Sequence, residues 1–123
     1  MNNQIYREVI LEHYHNPHNI ENIKHHTHQS RLVNYSCGDE INLKLLIEND
    51  KIKEVQHDTR GCAIAIASAS ILSDHIKNKS LDYIEDIDQD TMLELVAIKV
   101  TPSRLKCLLL PLEAVKKALL PED

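Results

Sequence analysis

Gly61-Cys62-Ala63-Ile64-Ala65-Ile66-Ala67-Ser68-Ala69-Ser70-Ile71-Leu72 is the stretch on which the fold turns. It reads two ways. The run Ala63 to Ser70 alternates as a strand would, whereas Ile64, Ala67, Ser68, Ile71, Leu72 and Ile76 share one face of a helix. High alanine content and the continuation to His75 favour the helix. A helix here places Cys62, which follows one of only two glycines, at its positive end, where a thiolate is stabilised. Cys37 and Cys107 lie on either side in sequence, and this predicts a fold that gathers three sulfurs into one site.

Upstream, Ile5, Val9, Ile10, His13 and Tyr14 recur at helical spacing, and the helix stops at Asn16-Pro17 because a residue before proline avoids the helical region. Residues 16–29 are rich in His and read as a loop. Arg31 to Tyr35, Ile41 to Ile47 and a short run through Ile52, Val55 and His57 read as strands, with a turn at Asn49-Asp50. So short a turn predicts antiparallel pairing, hence a three-stranded antiparallel sheet.

Downstream, Asn78-Lys79-Ser80 ends the central helix, and Ser80 caps a short one over Leu81 to Ile84. Asp88-Gln89-Asp90 opens another around Met92, Leu93, Val96 and Ala97. Leu108, Leu109, Leu112, Val115 and Leu119 share a last helical face. Pro111 lies among them, and proline is tolerated in a first turn, so this helix is expected to start no earlier than about Cys107. Cys107, like Cys62, is then expected at a helix N-terminus. The fold class is α+β: the sheet with an N-terminal helix and C-terminal helices packed on one face.

At 123 residues, with no repeat or linker, the chain is expected to form one domain over 1–123. Phe and Trp are absent, so Ile, Leu, Val and Ala must fill the core. A formal charge of −5 without a basic stripe argues against a nucleic-acid surface. No apolar run reaches the roughly 18–20 residues of a membrane span. Met1-Asn2-Asn3-Gln4 lacks the pattern of a signal peptide, so three cysteines read as reduced thiols in the cytoplasm.

Cys37-Gly38-Asp39 sets a thiol and a carboxylate on one side of an extended segment, about 6–7 Å apart along the chain. Gly38 permits the bend that lets them converge. With Cys62 and Cys107 they offer three sulfurs and one oxygen, a tetrahedral donor set that selects zinc, ferrous iron or an iron–sulfur cluster. Free Cys is also common as inert core packing. The flanks argue otherwise: Gly38, Asp39, Gly61, Arg104 and Lys106 are poor core neighbours but suit a thiolate.

With these residues in place the chain resembles the IscU/SufU/NifU N-terminal-domain iron–sulfur assembly proteins. Four motifs in the family's order carry the resemblance. They are Tyr6 with His13-Tyr14-x-Asn16-Pro17-x-Asn19, Asn34-x-x-Cys37-Gly38-Asp39, Gly61-Cys62-Ala63-Ile64-x-x-Ala67-Ser68-Ala69-Ser70, and Arg104-x-Lys106-Cys107. The resemblance implies that Cys37, Asp39, Cys62 and Cys107 form the site. It implies a scaffold that accepts sulfur from a cysteine desulfurase, builds a [2Fe–2S] cluster or holds iron, and passes the cluster to recipient apo-proteins. The alternative it implies is the SufU type, a zinc-dependent sulfur acceptor. Cys37, on a loop, is then the expected persulfide acceptor, with Cys107 the other candidate.

The departures are specific. IscU proteins have His before the last Cys, and Lys106 stands there, as in the SufU form. Yet no room appears for the SufU insertion between the second and third Cys. Val100-Thr101-Pro102-Ser103-Arg104 replaces the Leu-Pro-Pro-Val-Lys segment that engages the Hsp70-type chaperone, which leaves that partnership without its motif. Tyr35 and Thr59 stand where the family usually has Pro and Gly. His25-His26-Thr27-His28 reads as a solvated loop rather than a second metal site, and His13 as a residue that packs or hydrogen-bonds locally. The run Glu85-Asp86-x-Asp88-x-Asp90 reads as helix caps and solvated surface.

Overall fold

The computed structural model describes residues 3–121; Met1, Asn2 and the side chains of residues 3–6, Ile5 and Tyr6 among them, lie outside the described set. The elements are α1 (Asn3–His15), β1 (His28–Asn34), β2 (Asp39–Glu48), β3 (Lys51–Arg60), α2 (Ala63–Ile76), α3 (Leu81–Asp86), α4 (Gln89–Val96) and α5 (Pro102–Leu119).

The three strands form one antiparallel sheet in the order β1-β2-β3. Asn49 and Asp50 both take positive φ, 54° and 59°, as a two-residue turn matched to the twist of its strands requires. Along β2, Asp39, Ile41, Leu43 and Leu45 are buried, while Asn42 on the opposite face is exposed. That alternation leaves one face for the helices: α5 packs on β1 and β2, and α2 on β3. The strands run slightly further than expected. β1 begins at His28 and ends at Asn34, before Tyr35, and β3 continues to Arg60.

The ambiguous alanine-rich stretch is helix α2. Its buried face differs from the expected one. Ala65, Ala67, Ser68, Ala69, Ser70, Leu72, Ser73 and Ile76 are buried, whereas Ile64 and Ile71 are only partly so. The reason is position: α2 packs against α1, α4, α5 and β3, and small side chains let those neighbours approach on several sides. The short helices are capped as expected, with the Tyr83 and Thr91 amides donating to Ser80 Oγ and Asp88 Oδ1.

The last helix overturns one expectation. It starts at Pro102, five residues before Cys107, and Pro111 lies in its interior. Pro102 already occupies the first-turn position that the reading assigned to Pro111. Pro111 lacks the N–H that would bond the Cys107 carbonyl one turn back. The helix tolerates that loss because Cys107, Leu108, Leu110, Leu112, Ala114 and Val115 bury its length around the break.

The segment between α1 and β1 is a loop, but a pinned one. The His57 amide donates to the Asn19 carbonyl, and His57 Nε2 hydrogen-bonds the His18 carbonyl at 2.8 Å. The Ile23 amide donates to Gln56 Oε1, and Ile47 N–H to Thr27 Oγ1. His57 is itself buried, and burial holds its imidazole below its ordinary pKa.

Candidate metal centre

Two turns, the N-terminal end of α2 and the second turn of α5 build the site. Gly38, at φ 72°, closes a turn in which the Cys37 and Gly38 amides both donate to the Asn34 carbonyl. This presents Cys37 to solvent and starts β2 at Asp39, which is fully buried. Opposite it, the chain leaves β3 through Gly61 at φ 140°. A Cβ at Gly61 would fall 2.9 Å from both Asp39 Cα and Cγ and collide with Oδ1. Only glycine lets the backbone close over this carboxylate. Cys62 N–H then donates to Asp39 Oδ1 at 2.9 Å, so the backbone amide partners the buried oxygen.

Cys62 is the N-cap of α2, and its sulfur accepts the Ala65 amide at 3.4 Å. The expectation of a thiol at the positive end of the helix holds there. It fails for Cys107, which lies in the second turn of α5 and is fully buried. Burial is the largest cause pushing the Cys107 thiol well above its ordinary pKa, followed by hydrogen bonds with Asp39, Cys62 and Cys37.

The structure brings Cys37, Asp39 and Cys107 together, with one ligand atom of each within 4.8 Å of the others. Cys62 adjoins them through Asp39, its sulfur 3.9 Å from Oδ2. The exposure is graded: Cys37 open, Cys62 half-buried, Cys107 buried. Of the two cations expected beside the sulfurs, Arg104 is there. Hydrogen bonding to Cys107 and then the charge of Cys62 raise its pKa. Lys106 is exposed. A groove of about 330 Å³ opens beside Cys62, bordered by Lys99, Val100, Thr101 and Arg104.

The donor chemistry fits a soft or borderline cation. Three sulfurs and a carboxylate, drawn from three separate segments of the chain, answer to zinc, ferrous iron or an iron–sulfur cluster far better than to a hard cation. Cys37, Asp39, Cys62 and Cys107, singled out from the sequence, do lie together, but the part of Gly61 was not foreseen. The clue was there in Gly61-Cys62, a glycine set directly before a capping residue.

An α+β fold with an antiparallel sheet, helices on one face and a sulfur-rich pocket at one end of the strands is the class these features define. The profile of the NifU-like N terminal domain matches residues 5–121, and the chain belongs to that family. It is 34% identical to the iron-sulfur cluster assembly enzyme IscU of Drosophila melanogaster, over 94% of this chain and 76% of that one. It is 28% identical to the zinc-dependent sulfurtransferase SufU of Bacillus subtilis (strain 168), over 97% of this chain and 92% of that one. That alignment needs 136 columns, so it opens gaps opposite this shorter chain. A crystal structure of a putative iron-sulfur cluster assembly scaffold protein for the SUF system from Fervidobacterium islandicum AW-1 superposes with a TM-score of 0.78. It is 27% identical, with 98% of this chain and all of that one covered.

Proposed function

We propose that this chain is an iron–sulfur cluster assembly scaffold that takes sulfur from a cysteine desulfurase and carries a [2Fe–2S] cluster as cargo to recipient apo-proteins. The observation that carries the reading is the convergence of Cys37, Asp39 and Cys107 within 4.8 Å, with Cys62 joined through Asp39. These four residues are the ligands in this proposal. The relatives named for cluster assembly support it.

The chain's own residues divide the work by exposure. Cys37 is open to a partner protein, so its thiolate attacks the outer sulfur of the donor persulfide. A new S–S bond forms at Cys37, the donor's S–S bond breaks, and the donor cysteine leaves as its thiolate. Arg104, beside Cys62 and Cys107, offsets negative charge as thiolates collect. Buried Cys107 holds the inner wall. Asp39 is a hard donor among soft ones, which keeps the cargo exchangeable.

A second reading is a zinc-dependent sulfur acceptor, favoured by Lys106 before the last Cys and by the likeness to the Bacillus subtilis protein. Bound zinc would supply a fixed positive charge that holds thiolates deprotonated. Anaerobic reconstitution with ferrous iron, cysteine and a cysteine desulfurase separates the two. A stable visible chromophore at about one cluster per site supports the scaffold. Stoichiometric zinc with faster desulfurase turnover and no chromophore overturns it in favour of the acceptor. Asp39→Ala is expected to retain the chromophore and slow its transfer to an apo-protein about 10-fold or more, read by loss of the chromophore from this chain.

A further inference from the structure

The other end of α2 holds a second group of donors. His13, in the last turn of α1, His18, in the loop that follows, and Asp74, near the C-terminus of α2, each place one ligand atom within 4.8 Å of the others. Asp74 lies twelve residues beyond Cys62, about 18 Å along the helix at 1.5 Å per residue. The two groups share no residue.

The side chains of His13 and Asp74, and the main chain of His18, are held from behind. The Ser70 hydroxyl lies 2.7 Å from His13 Nδ1 and accepts the His18 amide at 2.7 Å. A hydroxyl oxygen has two lone pairs, so it can accept from both and leave His13 Nε2 without a proton, in the ligand form. Asp74 Oδ1 accepts the Asn19 side-chain amide at 2.9 Å, and Asn19 also donates to Ser73 Oγ. Asp74 Oδ2 faces His18 Nδ1. The main chain at His18 and Asn19 is fixed in turn by buried His57, through the His18 and Asn19 carbonyls.

We propose that His13, His18 and Asp74 form a second metal site, an open two-histidine, one-carboxylate site for a borderline divalent cation of the zinc or cobalt kind. Nitrogen and oxygen donors without sulfur suit such ions, and three protein ligands leave a position for water. The cation replaces the proton shared by His18 Nδ1 and Asp74 Oδ2, and that proton leaves to solvent. Ligand bonds of about 2.0–2.1 Å set tetrahedral donors about 3.4 Å apart. The side chains of His18 and Asp74 are 48% and 44% exposed, so they can open to that spacing without repacking the core. The site does not depend on the function proposed for the thiol cluster.

Reduced full-length protein titrated anaerobically with Co²⁺ tests the site. Two ions per chain are expected. One gives the near-ultraviolet charge-transfer band of thiolate ligation, and the other adds only weak visible bands. His18→Gln and Asp74→Asn should each weaken the second ion at least about 100-fold and leave the charge-transfer band unchanged. In wild-type protein, Zn²⁺ should shift the imidazole resonances of His13 and His18, a reading that needs no variant. Unshifted resonances overturn the site. So does a second ion that persists in both variants, which would place it elsewhere, as at His25, His26 and His28.

Discussion

The two ends of α2 are built from the same backbone and do opposite things with it. At the N-terminal end, Cys62 caps the helix, Asp39 and Cys107 are fully buried, and the donors are mostly sulfur. At the C-terminal end, Asp74 and His18 stand about half in water, and the donors are nitrogen and oxygen. Burial sets the difference. A carboxylate can be buried at the first end because the Cys62 amide reaches it and Gly61 allows the approach. At the second end no glycine intervenes, and the carboxylate remains at the surface. One helix therefore separates a soft pocket with a buried inner wall from a harder one that lies at the surface.

Metal choice gives the sharpest way to break this contrast. Cd²⁺ prefers thiolates, so it should favour the N-terminal end over the C-terminal end by about 1,000-fold, read from thiolate-to-cadmium absorption against imidazole resonances. Equal occupancy of both ends would remove the distinction. Gly61→Ala comes next. Its Cβ meets Asp39, so Co²⁺ affinity at the thiolate end should fall about 100-fold, while the histidine end is unaltered. A parallel loss at both ends would mean that the variant disturbs α2 as a whole.

Smaller effects sharpen the picture. Ser70→Ala removes the hydroxyl behind His13 and the acceptor of the His18 amide. Affinity at the histidine end should drop about 10-fold with the charge-transfer band retained. Pro111→Ala restores the N–H opposite the Cys107 carbonyl but gives up part of a ring buried beside Ile41, Leu43 and Val115. The two effects oppose, and a net gain of about 1 kcal/mol is expected, measured by urea denaturation. A loss of stability would show that packing of the ring outweighs the missing hydrogen bond.

Much of this is legible in the sequence. Alternation along Ile41 to Ile47 and the Asn49-Asp50 turn gave the hairpin, because side-chain period and turn chemistry are local properties. Ser80 and Asp88 announced their helices for the same reason. The four residues of the thiol pocket were legible through motif order. Pro102 was passed over because Pro111 sits within the stronger apolar pattern, and a proline inside a helix is tolerated only when burial on both sides compensates. His13 was expected to pack or hydrogen-bond locally; its ring does pack on that of His18, five residues on, but its hydrogen-bond partner Ser70 is 57 residues away.

Local pattern was enough for the hairpin, the caps of the short helices, the family's motifs and the residue types able to bind a metal. These depend on periodicity, caps and residue chemistry, all written within a few residues. The tertiary structure alone decided that Cys107 is the buried sulfur and Cys37 the open one, that Gly61 closes over Asp39, and that two histidines meet an aspartate at the far end of α2. Burial and cross-chain distance arise only when α1, α5 and the sheet pack around one helix, and no local pattern encodes them.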